Sequence, residues 1–146
     1  AATAELPLSG AAEPVLERLR DATGESVQLY VREGAARVCV AALESPHGLR
    51  TIVPLGAALP LELGSAGKVL RLEPEAVARG WAESVAEREP GVASVSAPVR
   101  DGRCVVAAVS VSGPIDRTTR SPGRRYAAAV TAAAREIEFA AGLGAG

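Results

Sequence analysis

The strongest constraint on the fold is a pair of apolar segments separated by a very short link. Residues 92–99 read VASVSAPV, residues 104–112 read CVVAAVSVS, and the link between them contains RDG. Apolar runs of this length are typical of β-strands, and a short Gly-containing link joins antiparallel neighbours. The sequence therefore predicts a β-hairpin with its tight turn at Asp101 and Gly102. That hairpin determines which side chains of the two strands lie together.

Serines recur at every second position in parts of both predicted strands. Because successive side chains of a strand point to opposite faces, Ser94 shares a face with Ser96, and Ser110 with Ser112. Antiparallel pairing can then set Ser94 opposite Ser112 and Ser96 opposite Ser110. The other face is predicted to be a core face, formed by Val95, Ala97, Val105, Ala107, Val109 and Val111. The serine face is left either for solvent or for a small polar ligand, since hydroxyls donate and accept hydrogen bonds without adding charge.

The remaining segments predict helices before, between and after the strands. Helices are expected at residues 12–22, 63–70, 71–79 with a division at Pro74, and from Ser121 onward; further strands are expected at 26–33, 36–45, 49–54 and from Gly80. Residues 56–60 are expected to form a loop. The pattern indicates an α+β fold with an antiparallel sheet flanked by helices, and 146 residues fit a single domain.

Composition excludes several classes of function. The formal net charge is −1, with 16 basic and 17 acidic residues mixed along the chain, so we expect this segment alone to bind nucleic acid poorly. No apolar run of membrane-spanning length and no secretory signal is found. Cys39 and Cys104 lie in apolar runs, where a reduced thiol is usual, which fits a cytoplasmic protein. There is no methionine, so we expect the sequence to be a piece of a longer chain.

Few residues suggest catalysis. GSAGK at 64–68 lacks the earlier Gly and the following Ser or Thr of a phosphate loop. It predicts either a tightly packed helix start or one whose free N–H groups hold a carboxylate. His47 is the only histidine and lies in a predicted turn, so neither a nucleophilic triad nor a metal site is supported. We expect no enzyme, no metal and no cofactor.

The chain resembles the effector-binding domain of IclR-family transcription regulators over nearly its whole length. The similar segments are residues 19–61, SAGKVL, RGWAESVAEREPGVASVSAPV and VVAAVSVSGPIDR. The last two also resemble an actinobacterial subgroup linked to amino-acid and leucine biosynthesis. The resemblance implies a GAF-like fold at residues 9–146, with residues 1–8 as the remnant of a linker from a missing N-terminal winged helix-turn-helix that contacts DNA. It also implies dimers or tetramers.

The resemblance further implies a ligand site for a small organic acid or an amino acid. Its polar contacts carry over to Ser65, Ala66, Ser84, Val92, Ser94, Ser110 and Ser112, and its apolar wall to Leu59 and Thr51. Two residues depart from the family pattern: Glu62 stands where many members have His, and Ser84 where some have an acidic residue. Residues 71–79 are also shorter than the helical segment that the family usually has there. Either the chain has a deletion or residues are missing from the sequence, and we favour the second.

Two alternatives remain open at this stage. The chain could be a pure oligomerisation module with a vestigial pocket, which predicts a gap that is well packed and dry. It could also be a small hydrolase or isomerase that uses the serines, and then only Glu83 or Glu87 could act as the general base.

Overall fold

A six-stranded antiparallel sheet forms the centre of the chain, as a computed structural model describes it for residues 2–144, with side chains from residue 8 onward. The elements in chain order are α1 Ala2–Thr23, β1 Ser26–Glu33, β2 Ala36–Leu43, β3 Ala58–Pro60, α2 Gly64–Leu70, α3 Pro74–Arg79, β4 Ala82–Val85, β5 Val92–Asp101, β6 Cys104–Pro114, α4 Ile115–Thr118 and α5 Pro122–Ala140. The strand order is β3-β2-β1-β6-β5-β4. The α+β prediction is confirmed. Residues 1, 145 and 146, at the ends of the two predicted segments 1–8 and 9–146, lie outside the described residues.

Helices α1 and α5 cover one face of the sheet. Leu16, Leu29, Val109, Val130 and Ile137 are fully buried there, together with the small aliphatic residues of β5 and β6. Gly24 ends α1 as predicted: it has a φ of +73°, and its N–H donates to the Arg20 carbonyl. Pro122 begins α5 after Ser121, also as predicted. Valine and alanine therefore fill a core that contains few aromatic rings.

The other face is covered by α2, α3 and the segment before them. Tyr30, Cys39, Leu61, Val69 and Ala108 form a second buried cluster on this side. Hydrophobic periodicity in β1 predicts a polar face at Gln28 and Tyr30, yet both are buried. The sheet is thus a middle layer, with helices on both of its faces.

The predicted hairpin of β5 and β6 is present, but its turn lies one residue later, at Gly102 and Arg103. With unbroken pairing from this turn, Ser94 would lie opposite Val111. A β-bulge places the extra residue Val106 on β6 and shifts the pairing by one, so that Ser94 lies opposite Ser112 and Ser96 opposite Ser110. Because of this extra residue, Val105 and Ala107 of β6 face opposite sides of the sheet instead of the same side. Val105 therefore packs against the second cluster, and its predicted place on the core face is wrong.

The predicted strand at 49–54 is not formed, and the short edge strand β3 follows it instead. A turn closed by the Ala57 N–H and the Pro54 carbonyl redirects the chain. Pairing with β2 begins only after this turn, with Gly56 and Ala57 bonded to the backbone of Cys39. The loop predicted at 56–60 is therefore partly a strand, because the turn around Pro54 sets where the chain meets the edge of β2.

No helix among the described residues is long and apolar enough to cross a membrane.

Candidate functional site

The polar residues of the α2 side lie in rows that run across the strands. The backbone register aligns Ser84, Ser94, Ser112 and Ser26 in one row, from β4 through β5 and β6 to β1. The next row contains Ala82, Ser96, Ser110 and Gln28. Directly opposed residues of antiparallel strands share a face, so these polar side chains project together toward α2. The two predicted serine pairs are confirmed, and neighbouring strands extend them.

Five serine hydroxyls form one continuous hydrogen-bonded chain. Ser84 bonds Ser94 at 2.8 Å, and Ser94 bonds Ser65 of α2 at 2.6 Å. Ser65 also bonds Ser96 at 2.7 Å, and Ser96 bonds Ser110 at 2.5 Å. Each hydroxyl can donate one bond and accept others, so the direction of the chain can reverse when a new partner arrives. A largely buried chain of this kind can match either a donor or an acceptor on a ligand.

A narrow polar cavity of about 20 Å³ lies beside this chain, between the sheet and the start of α2. This volume holds about one water molecule, so a larger guest requires lining side chains to move. Seven of the sequence-predicted site residues line it: Ser65, Ala66, Ser84, Val92, Ser94, Ser110 and Ser112. The structure thus brings together residues from α2, β4, β5 and β6 that are far apart in the sequence.

Thr51 and Leu59, predicted to form the apolar wall, do not line this cavity. Thr51 lies in the loop that replaced the predicted strand and borders a separate surface cleft. Its carbonyl accepts a hydrogen bond from Ser26 at 2.5 Å, and its buried hydroxyl has no partner among the described residues. Leu59 lies on the edge strand β3 and packs against the second cluster. The strand predicted at 49–54 is not formed and β3 follows it instead, so neither Thr51 nor Leu59 lies at the cavity as expected.

Four further side chains, which were not predicted as site residues, also line the cavity: Gln28, Tyr30, Arg37 and Arg88. The Gln28 side chain accepts a hydrogen bond from Ser112 at 3.0 Å. Burial raises the pKa of Tyr30 to about 12, so the phenol stays neutral and can donate a hydrogen bond. The sequence does contain a signal for Arg37. It lies on β2 two positions before the buried Cys39, so the two side chains share a face of the sheet.

Arg37 is a buried guanidinium whose environment is unusual. It is 3% exposed. Its Nη1 donates to the carbonyls of Leu63 and Pro60, and its carbon Cζ lies 5.0 Å from the centre of the Tyr30 ring. The Nε is buried with no partner among the described residues. Burial lowers the pKa of Arg37 from its usual value, yet a guanidinium remains charged at neutral pH.

The loop after β4 closes one side of the cavity through charged side chains. Lys68 Nζ donates to the Glu83 carbonyl at 2.8 Å and to Glu87 Oε2 at 2.7 Å. The lysine of the SAGK segment therefore fastens this loop to α2 and is not directed at a phosphate site. Arg88, from the same loop, lines the cavity and contacts Glu89 at 3.1 Å. The loop after β4 thus contributes a cation to the site.

Neither candidate general base is placed for catalysis. Glu83 Oε1 accepts the Gly123 N–H, and Glu87 is bonded to Lys68 and to the Gly64 N–H; neither carboxylate lines the cavity. His47 is exposed and Glu62, one of the departures from the family pattern, is also exposed. Within residues 8–144 no group of three or more His, Cys, Asp or Glu side chains is arranged to hold a metal ion. The arrangement can bind polar groups and offers no acid–base pair beside the serines.

Comparison with known proteins identifies the family. The profile described as the bacterial transcriptional regulator IclR C-terminal family matches residues 1–78 and 72–139. The HTH-type transcriptional regulator BhcR of Paracoccus denitrificans (strain Pd 1222) is 31% identical over 162 aligned positions, which cover 88% of this chain and 58% of BhcR. The alignment is longer than the 146 residues of the chain. The two profile matches meet at 72–78, where the sequence indicated a shortened segment.

Solved structures agree with this assignment. A transcriptional regulator of the IclR family from Rhodococcus sp. superposes with a TM-score of 0.81 at 34% identity, covering 88% of this chain and 61% of that one. An IclR homolog from Microbacterium hydrocarbonoxydans, solved with 4-hydroxybenzoate, has a TM-score of 0.82 at 20% identity, covering 93% and 68%. The latter supports the fold alone. The chain spans about three fifths of the length of BhcR and of the Rhodococcus regulator. Its relatives are transcription regulators and not enzymes, and the chain belongs to the IclR family of bacterial transcriptional regulators as an example of their C-terminal, effector-binding domain.

Proposed function

We propose that this domain senses a small organic acid or an amino acid in the polar cavity between the sheet and α2. The observation that carries the proposal is the chain of five hydrogen-bonded serine hydroxyls, which are held on four different elements. Four of these serines, Ser65, Ser84, Ser94 and Ser110, line one cavity. Buried hydroxyls add little to apolar packing, and each needs a hydrogen-bonding partner to offset its lost hydration, so packing alone does not account for so many of them on one sheet face.

The ligand class that we propose is the one bound by the IclR homolog from Microbacterium hydrocarbonoxydans. That protein has the same fold and was solved with 4-hydroxybenzoate, which carries a carboxylate and a hydroxyl. We propose the same pairing of chemical groups here, with a smaller ligand in view of the narrow cavity. Ser65, Ala66, Ser84, Val92, Ser94, Ser110 and Ser112 are the proposed contacts. Any link to leucine or amino-acid metabolism in actinobacteria rests on the sequence resemblance.

The proposed output is a change in DNA binding. The relatives that the chain matches are named as HTH-type regulators and are longer than this chain. We propose that residues 1–8 continue from a DNA-binding domain, that the domains associate as dimers or tetramers, and that the protein acts in the cytoplasm. A ligand that binds one subunit arrangement more tightly than another shifts the population between them, which alters the spacing of the DNA-binding domains.

Isothermal titration calorimetry of the 146-residue chain tests ligand binding. Organic acids and branched-chain amino acids are titrated into the wild type, Ser110→Ala and Ser112→Ala, with Ser9→Ala as the matched control. The Ser9 hydroxyl bonds the Val40 carbonyl from α1 and does not line the cavity. We expect the two cavity variants to lose about tenfold in affinity, equivalent to one hydrogen bond of roughly 1.4 kcal/mol, and Ser9→Ala to bind normally. Absence of binding by every compound contradicts the proposal.

The small volume of the cavity favours one second candidate, a domain that only oligomerises. In that case saturating acids leave both the melting temperature and the sedimentation coefficient unchanged. A ligand that binds the folded state raises the melting temperature in a concentration-dependent way, so one thermal titration separates the two candidates.

A further inference from the structure

The side chains around the cavity carry an unbalanced charge. Arg37 and Arg88 line it, and among the described residues no Asp or Glu does. Arg88 contacts Glu89, whose side chain is largely exposed. Arg37 has no carboxylate within 4.0 Å of its nitrogens in the part of the chain that the structure describes. The local potential therefore favours an anion.

Burial makes the missing partner of Arg37 significant. Removing a guanidinium from water is strongly unfavourable unless an opposite charge and good hydrogen bonds offset the lost hydration. Two carbonyl contacts and the Tyr30 ring provide a partial offset, but the Nε remains buried with no partner among the described residues. Among residues 8–144 the other buried charged side chain is Glu25, which is paired with Arg117 through two bonds of 2.7 and 2.9 Å.

Fastening the loop before α2 does not require a buried guanidinium. Arg71, directly after α2, also binds the backbone of this loop: its Nη1 donates to the Leu61 carbonyl at 2.7 Å. Arg71 remains partly exposed and is paired with Glu73 at 3.2 Å. Two arginines thus bind the backbone of this loop. Arg71 lies outside the cavity and is paired with a carboxylate, whereas Arg37 lines the cavity and is not.

We propose that Arg37 is the carboxylate anchor of the cavity, and that the ligand is a small organic acid with a net negative charge, such as a hydroxy or oxo acid, and not a zwitterionic amino acid. This inference rests on the proposed function and narrows it. The planar guanidinium binds the carboxylate, and the serine hydroxyls bind the uncharged hydroxyl or oxo group of the ligand.

The same charge distribution disfavours an amino acid. A negatively charged acceptor stabilises a buried ammonium group best, and none lines the cavity among the described residues. Glu87, at the start of α2, is already bonded to Lys68 and to the Gly64 N–H. The Gln28 Oε1, which accepts from Ser112, is an uncharged acceptor. An ammonium placed among neutral hydroxyls and two guanidinium groups is both poorly solvated and repelled.

Matched ligands test the charge directly in the wild-type chain. Lactate, lactamide and alanine have nearly the same size, and so do 2-hydroxy-4-methylpentanoate, its amide and leucine. Calorimetry with both sets is expected to show the hydroxy acid binding at least about tenfold more tightly than its amide or the amino acid. Equal affinities, or a preference for the amino acid, overturn the anchor proposal but leave ligand sensing intact. No binding by any of the six compounds overturns both.

Variants then assign the anchor to one residue. Arg37→Gln removes the charge, and Arg71→Gln is the matched control because it removes a loop-fastening arginine outside the cavity. We expect the acid-to-amide affinity ratio to fall close to one in Arg37→Gln and to remain unchanged in Arg71→Gln. General loosening of the loop weakens both ligands alike and leaves the ratio unchanged, which would overturn the assignment. If Arg37→Gln does not fold, Arg37→Lys keeps the charge without the planar fork and is expected to give an intermediate ratio; a wild-type ratio there counts against the anchor.

Discussion

The two faces of the central sheet are built from the same strands but have different chemistry. On the α1 and α5 face, β1, β5 and β6 present Val, Leu and Ala side chains that are fully buried against two long helices. On the α2 face the intervening positions present serines, Gln28, Tyr30 and, from β2, Arg37. Both faces are buried, and within residues 8–144 the hydrogen-bonding groups that surround a cavity lie on the second. The first face is thus built for apolar packing, and the second is the one to which we assign recognition in the proposed function.

Truncating a side chain on the α1 and α5 face is expected to have the largest effect on stability. Leu29→Ala removes a fully buried side chain from β1 and should cost about 2–5 kcal/mol of the free energy of unfolding, through lost burial and the cavity left behind. Urea denaturation measures it. Leu55→Ala is the control, since Leu55 is 72% exposed and its truncation should change stability little. Similar losses in the two variants would contradict the assignment of this face as the core.

Titration of Tyr30 on the α2 face is expected to have the next largest effect. Its pKa is raised by burial from 10.0 to about 12. The neutral phenol therefore stabilises the folded state fully below pH 10, and this contribution is lost as the pH rises from 10 to 12, up to roughly 3 kcal/mol. Denaturation curves across this range should fall more steeply for the wild type than for Tyr30→Phe. Parallel curves would show that Tyr30 is not held in a neutral, buried state.

Breaking the serine chain is expected to have a smaller effect. Ser96 is fully buried and bonds both Ser65 and Ser110. Ser96→Ala should cost about 1–3 kcal/mol, because it leaves two buried hydroxyls with fewer partners and removes little apolar surface. Thermal denaturation beside Leu29→Ala gives the comparison. If Ser96→Ala destabilises the fold more than Leu29→Ala does, the serine chain is a structural element and the two faces do not differ as described.

The sequence predicts the hairpin and its serine pairs because alternation in Ser94, Ser96, Ser110 and Ser112 is a local property of each strand. Other features depend on contacts that periodicity does not encode. The bulge at Val106 sets the register, yet nothing in a run of Val and Ala residues marks where an extra residue will be accommodated. The α2 face shows polar positions that resemble a solvated surface, because the helix that buries them comes from a distant segment.

The cavity itself was predicted in part. Resemblance to the family, together with strand alternation, selected seven residues that now line it. Thr51 and Leu59 were misplaced because the turn around Pro54 moved the third strand. Arg37 was missed because an isolated arginine in a strand usually lies at a solvated position; its burial results from the packing of the Pro60–Leu63 backbone over it. Tertiary packing, and not local pattern, makes this residue a candidate for binding.

A crystal structure of the chain with the tightest-binding hydroxy acid from the calorimetric series would show where the carboxylate and the hydroxyl of the ligand lie. We predict electron density for one ligand between the sheet and α2, with its carboxylate at the Arg37 guanidinium, its hydroxyl within hydrogen-bonding distance of Ser110 or Ser112, and the Arg88 loop displaced to admit it. At saturating ligand, density at another surface, or a cavity that still holds no more than water, would contradict the account.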